Sequence, residues 1–127
     1  MKELLTMGLL LLMISSATVS CQNNEKPDEF NMTISDLKEK MKTDSSLVIL
    51  DCRTPQELTG ELGQIDGVIN IPVQVLDQEI NKLEKYKNNN IAVICRSGNR
   101  SVFATKMLHA KGFKAKNVLG GMIAYRK

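Results

Sequence analysis

The stretch Ile91-Ala92-Val93-Ile94-Cys95-Arg96-Ser97-Gly98-Asn99-Arg100-Ser101 changes from wholly apolar to polar at a cysteine. Four consecutive apolar residues, mostly β-branched, suit a strand buried on both faces, as in a parallel sheet. The polar loop that follows leads into apolar positions at helical spacing, Phe103, Ala104, Met107 and Leu108, and the pattern stops at Gly112. Strand, short loop and helix in that order make a βα unit.

The same alternation continues on both sides. Leu47-Val48-Ile49-Leu50 is a second apolar run of strand length. Thr54-Pro55-Gln56-Glu57 has the form of a helix start, with Thr54 as N-cap, Pro55 in the first turn and Glu57 reaching back; the helix should end near Gly60. Val68 to Ile71 reads as a brief strand closed by Pro72. Leu76, Ile80 and Leu83 mark an amphipathic helix broken by Asn88-Asn89-Asn90. Upstream, Thr33 and Asp36 resemble a capping box, and Ile34, Leu37 and Met41 share one face of the helix it would open. Downstream, a last strand is expected around Asn117-Val118-Leu119. The pattern predicts an α/β domain over residues 30–127.

The 127 residues suit one domain, and 43% hydrophobic with 24% charged residues is an ordinary globular composition. A net charge of +3, spread along the chain, is too mild to imply nucleic acid. No cluster has metal-ligand spacing, no cofactor is implied, and His109 alone suits a surface or core position.

Residues 1–20 read as a secretory signal peptide: Lys2 near the start, the apolar run Met7 to Ile14, then small residues. That run is short for a membrane span, which needs about 20 apolar residues. Thr18-Val19-Ser20-Cys21 resembles a bacterial lipobox, which makes Cys21 the expected lipidation site. Residues 21–29 then form the lipidated cysteine and a polar linker. The expected location is the cell envelope or periplasm, with membrane contact through the lipid anchor only.

Cys95 stands where a buried strand meets a loop and the start of a helix. Loop N–H groups, the positive end of the helix and a nearby guanidinium all favour an anion there. A thiol so placed ionises below its free value of about 8.5, which makes Cys95 the candidate nucleophile. Arg96 and Arg100 are candidate clamps for an anionic substrate.

Cys95-Arg96-Ser97-Gly98-Asn99-Arg100-Ser101 resembles the active-site loop of the single-domain rhodaneses. Asp51 to Glu57 resembles the D-x-R-x-P-x-E segment of that family, Gly63 to Pro72 its G-H-I-x-G-A-x-N-I-P segment, and Gly120 to Tyr125 its closing G-G-x-x-A-W. Gln64, Val68 and Tyr125 depart from the usual histidine, alanine and tryptophan. The resemblance implies a five-stranded, mainly parallel sheet flanked by helices. It also implies a ping-pong sulfurtransferase: Cys95 takes sulfane sulfur from thiosulfate or a related donor, holds it as a persulfide, and yields it to a thiol or cyanide. Substrate would meet Arg96, Ser97, Gly98, Asn99, Arg100 and Ser101, while Asp51, Arg53 and Glu57 would form a structural charge network.

Two other functions stay open. One is a phosphatase-like enzyme, because cell-cycle dual-specificity phosphatases share the fold and its cysteine cradle; they place one more residue between cysteine and arginine than the four between Cys95 and Arg100. The other is a non-catalytic module that binds an anion or a partner. Cys52, in the D-x-R segment, is expected to pack into the core as a thiol. Its strand should neighbour that of Cys95, so distance permits a disulfide, but Cys52 is expected to point into the core while Cys95 faces the loop.

Overall fold

A computed structural model describes residues 28–127. The expected signal peptide and Cys21, and nearly all of the linker, lie outside the described residues.

Five strands form one wholly parallel sheet: β1 (Asn31–Met32), β2 (Val48–Asp51), β3 (Ile69–Asn70), β4 (Asn90–Ile94) and β5 (Lys114–Val118), in the spatial order β1-β5-β4-β2-β3. The two apolar runs singled out in the sequence, β2 and β4, lie side by side near the middle. β1 has no sequence signal of its own. It is held by pairing Asn31 with Asn117 and Met32 with Val118. The last strand starts earlier than expected, at Lys114, because Ala115 and Asn117 turn inward while Lys114 stays in solvent.

Helices cover both faces. α1 (Ile34–Thr43) begins at the expected capping box: the Asp36 N–H donates to Thr33 Oγ1 at 3.1 Å, and Asp36 Oδ2 accepts the Thr33 N–H at 3.2 Å. α2 (Pro55–Leu58) is a single turn, and the Thr54 N–H donates to Glu57 Oε2 at 2.9 Å. The helix expected through Leu83 is instead a short α3 (Leu76–Glu79) followed by a 3-10 segment, Ile80–Tyr86. Ile80, Leu83 and Tyr86 recur every third residue, which suits three residues per turn and puts all three against the core. α4 (Asn99–Ala110) and α5 (Gly121–Tyr125) complete the fold.

The core has two halves. On one face Leu50, Val93, Leu76, Leu83, Ala104 and Leu108 pack together; on the other, Ile49, Ala92 and Ile94 meet Leu37, Met122 and Val118. Phe103 was expected on the buried face of α4 but is 66% exposed. That face is set by Ser101, Ala104, Thr105 and Leu108, with the two hydroxyls satisfied internally. No helix among the described residues is long and apolar enough to cross a membrane.

Candidate active site

Cys95 follows the last residue of β4, at the carboxyl end of the sheet, where open parallel sheets place their ligand crevices. The chain turns at Gly98 (φ +100°), the N-cap of α4, and this positive φ favours glycine. The turn aims the Gly98 N–H at the Cys95 Sγ, 3.1 Å away. Ser101, in the first turn of α4, brings its Oγ to 3.3 Å from the same sulfur.

The sulfur belongs on the anionic side of its titration. The Cys52 thiol beside it contributes most, followed by the Ser101 hydroxyl and the Ser101 and Gly98 amides; burial opposes them, and the Cys95 pKa falls from 9.0 to about 4. Cys52 is pushed strongly the other way by the Cys95 sulfur beside it and by burial, so the proton stays on Cys52.

The loop is braced from behind. α5 starts against it, the Met122 N–H donating to the Cys95 carbonyl at 2.8 Å and the Ile123 N–H to the Arg96 carbonyl at 3.0 Å. Gly121 makes the approach possible: a Cβ there would lie 2.5 Å from the Cys95 carbonyl oxygen. The Gly120-Gly121 pair in the closing segment therefore serves the cysteine loop directly, a role hidden by the sequence separation.

The predicted residues divide into three groups. Arg96, Ser97 and Asn99 are exposed at the loop surface, where a ligand would arrive, and Gly98 supplies its amide. Ser101 does not line the surface as expected: it is fully buried, and its Oγ is 2.6 Å from Asn117 Oδ1 as well as 3.3 Å from Cys95. Its single hydrogen has two acceptors in reach. Asn117 in turn donates to Asn31 Oδ1 at 3.0 Å, so a chain of side chains ties β1 to the thiol; nothing in the sequence marked Asn117 as part of the site.

The charge network also differs from expectation. Asp51 and Arg53 form a buried pair at 2.8 Å, with Arg53 also donating to the Gly63 carbonyl at 2.7 Å. Glu57 is not paired with Arg53 through its side chain. Its carboxylate takes both terminal nitrogens of Arg100, at 2.8 and 2.7 Å. Arg100, expected as an anion clamp, is therefore engaged on the protein side, and it holds the Glu57 carboxyl at about 2. Asn70 adds a support the sequence did not signal, donating to the Asp51 and Arg53 carbonyls at 3.0 and 2.8 Å. His109 contacts the Ala115 carbonyl and the edge of the Phe30 ring, both outside this site.

Known proteins resemble this one along most of the described chain. The profile of the Rhodanese-like domain matches residues 33–127. YtwF of Bacillus subtilis, a candidate sulfurtransferase, is 37% identical over 89 residues, covering 70% of this chain and 82% of its own length. YrkF of the same organism, a candidate sulfur carrier protein, is 40% identical over 86 residues; these span 67% of this chain but only 44% of YrkF. The crystal structure of a rhodanese-related protein from Thermoplasma volcanium superposes with a TM-score of 0.68 at 34% identity, covering 76% of this chain and 90% of that one.

Proposed function

The chain belongs to the Rhodanese-like domain family, a family of sulfurtransferase type, and from that premise we propose that it carries sulfane sulfur as a persulfide on Cys95. The observation that carries this reading is the sulfur itself: Cys95 Sγ at the floor of a loop, facing the Gly98 N–H at 3.1 Å, with its pKa lowered to about 4.

The donor is thiosulfate or a related anion. The Cys95 thiolate attacks the outer, sulfane sulfur; a new S–S bond forms, the donor's S–S bond breaks, and sulfite leaves with the bonding pair. No general base is needed, because the nucleophile is already ionised at neutral pH. The persulfide then carries the negative charge about 2 Å further out, one S–S bond length from Sγ. That moves charge toward the loop mouth, where Ser97, Asn99 and the start of α4 stand. Arg96, exposed beside the cysteine, meets the donor's anionic group. An acceptor thiolate, or cyanide, attacks the outer sulfur and restores Cys95.

Two features favour sulfur over phosphate. Four residues separate Cys95 from Arg100, one fewer than in the phosphatases with this cradle. The Arg100 guanidinium is also committed to Glu57 through both of its terminal nitrogens.

The test is intact mass spectrometry after exposure to thiosulfate. The wild-type protein should gain one sulfur and lose it again to cyanide or a thiol, while Cys95→Ser, which removes only the soft nucleophile, should gain none. Turnover retained by Cys95→Ser would end the assignment.

A further inference from the structure

Cys52 helps hold the Cys95 thiolate but makes and breaks no bond in the loading step, and the fold sets its sulfur beside the reacting one. Strands β2 and β4 pair in register from Val48 opposite Ile91 to Asp51 opposite Ile94. The Cys52 N–H continues that ladder, donating to the Ile94 carbonyl at 2.9 Å, so the next opposed pair is Cys52 and Cys95. Side-chain alternation settles where the two sulfurs point. Val48, Leu50 and Cys52 share one core cluster with Ile91, Val93 and Cys95, while Ile49, Ala92 and Ile94 belong to the other. Both thiols therefore project to the same face, which corrects the expectation that they point apart.

Adjacent strands lie about 4.8 Å apart, inside the window of about 4.4–6.8 Å between Cα atoms that a disulfide requires. Both cysteines are free thiols, Cys52 fully buried and Cys95 1% exposed. A soft nucleophile thus stands next to the sulfur that would carry the persulfide, shielded from solvent.

We propose that Cys52 is a resolving thiol: when no acceptor arrives, it discharges the Cys95 persulfide, closing a Cys52–Cys95 disulfide and releasing the carried sulfur as hydrosulfide. The inference rests on the persulfide reading above. Cys52 Sγ bonds to the inner sulfur, Cys95 Sγ; the bond from Cys95 Sγ to the outer sulfur breaks, and the outer sulfur leaves with the bonding pair and the Cys52 proton. The two cysteine sulfurs together lose two electrons, and the sulfane sulfur gains them as sulfide. No outside oxidant enters, and a dithiol reductant reopens the pair.

The order of events follows from acidity. Burial and the neighbouring thiolate keep Cys52 protonated, and a protonated thiol attacks slowly. An acceptor thiolate from solvent takes the sulfur first, and Cys52 acts only on a persulfide left waiting. The pair then works as a timer that empties an unused site and locks it until it is reduced.

The experiment loads the protein with thiosulfate and, in parallel, with inorganic polysulfide, which persulfidates reactive thiolates without donor recognition. Donor is removed, and intact mass and free sulfide are followed with no acceptor present. Wild type should gain one sulfur, then fall to a mass two hydrogens below the reduced protein as an equal amount of sulfide appears. Peptide mapping should join Cys52 to Cys95. Whatever their loading rate, Cys52→Ser, which keeps a hydroxyl beside Cys95, and Cys52→Ala should, once loaded, keep the added sulfur and lose the sulfide-releasing phase. A wild-type persulfide that persists as it does in the variants overturns the proposal, as does sulfide release with Cys52 and Cys95 unlinked. Loading by polysulfide but not by thiosulfate would refute the donor assignment alone, leaving the polysulfide arm to decide the role of Cys52. Loading by neither would overturn both.

Discussion

Replacing Gly121 with alanine should cost stability and function together, because this glycine lies against the backbone of the cysteine loop. Two penalties apply. Gly121 has φ +57°, and a left-handed backbone costs a residue with a Cβ about 1–2 kcal/mol. The new Cβ would also lie 2.5 Å from the Cys95 carbonyl oxygen and 2.6 Å from that of Arg96, so the loop and α5 must separate. Separation forfeits the Met122 and Ile123 hydrogen bonds to those carbonyls, about 1 kcal/mol each. The expected loss is about 3–4 kcal/mol, a large share of the roughly 5–15 kcal/mol typical of a folded domain. Gly67→Ala is the control: φ is +78° and nothing lies within 4 Å of the would-be Cβ, so only the backbone penalty of about 1–2 kcal/mol applies. Urea unfolding gives the comparison, with midpoint shifts at constant slope. Thiosulfate loading of Cys95 should fall in Gly121→Ala and stay intact in Gly67→Ala. Equal destabilisation by the two substitutions would refute the argument that α5 braces the loop by close approach.

Arg100 holds the Glu57 carboxyl at about 2 when folded, below its ordinary 4.5, so the folded protein binds fewer protons than the unfolded chain between those values. The pair's contribution is therefore complete above about pH 4.5 and fades as pH falls toward 2; Glu57→Gln should remove this part of the acid dependence of thermal unfolding, and an unchanged acid profile would deny the pair that role. Ser101→Ala should raise the pH midpoint of Cys95 alkylation above that of the wild type by removing a donor to the thiolate; an unmoved midpoint would show that the hydroxyl serves Asn117 alone. The same change leaves Asn117 Oδ1 buried without its partner, a cost of about 1–3 kcal/mol. We also propose that Cys21 is the lipid attachment site of an exported protein; Cys21→Ala should then leave the membrane fraction, and retention there would point instead to a persisting N-terminal apolar segment.

The α/β order and the cysteine loop are legible in the sequence because their signals are local: an apolar run, a polar turn with Gly98, then helical spacing. Contacts between distant segments are not. Nothing near Glu57 points to Arg100, 43 positions away, because either carboxylate in the Asp51–Glu57 segment could have met either arginine. β1 escapes notice because two residues make no pattern, and only the partner strand defines them. Cys52 illustrates a different limit. Its burial in the core is as expected, but the β2 alternation persists one residue past Asp51, so Cys52 keeps the parity of Leu50 and shares its face with Cys95, which was expected to face the loop.

The flanks of the sheet bear on how this protein avoids associating with itself. β1 and β3, the two outermost strands, are only two residues long, so each flank offers an incoming strand very little ladder to extend. One segment suited to intermolecular β structure is Ile91-Ala92-Val93-Ile94, apolar, uncharged and rich in β-branched residues. It lies between β2 and β5 with its backbone paired on both sides. Aggregation through that segment therefore requires β2 or β5 to detach first, and resistance to it is governed by the opening of the central sheet, not by the chemistry of the rim.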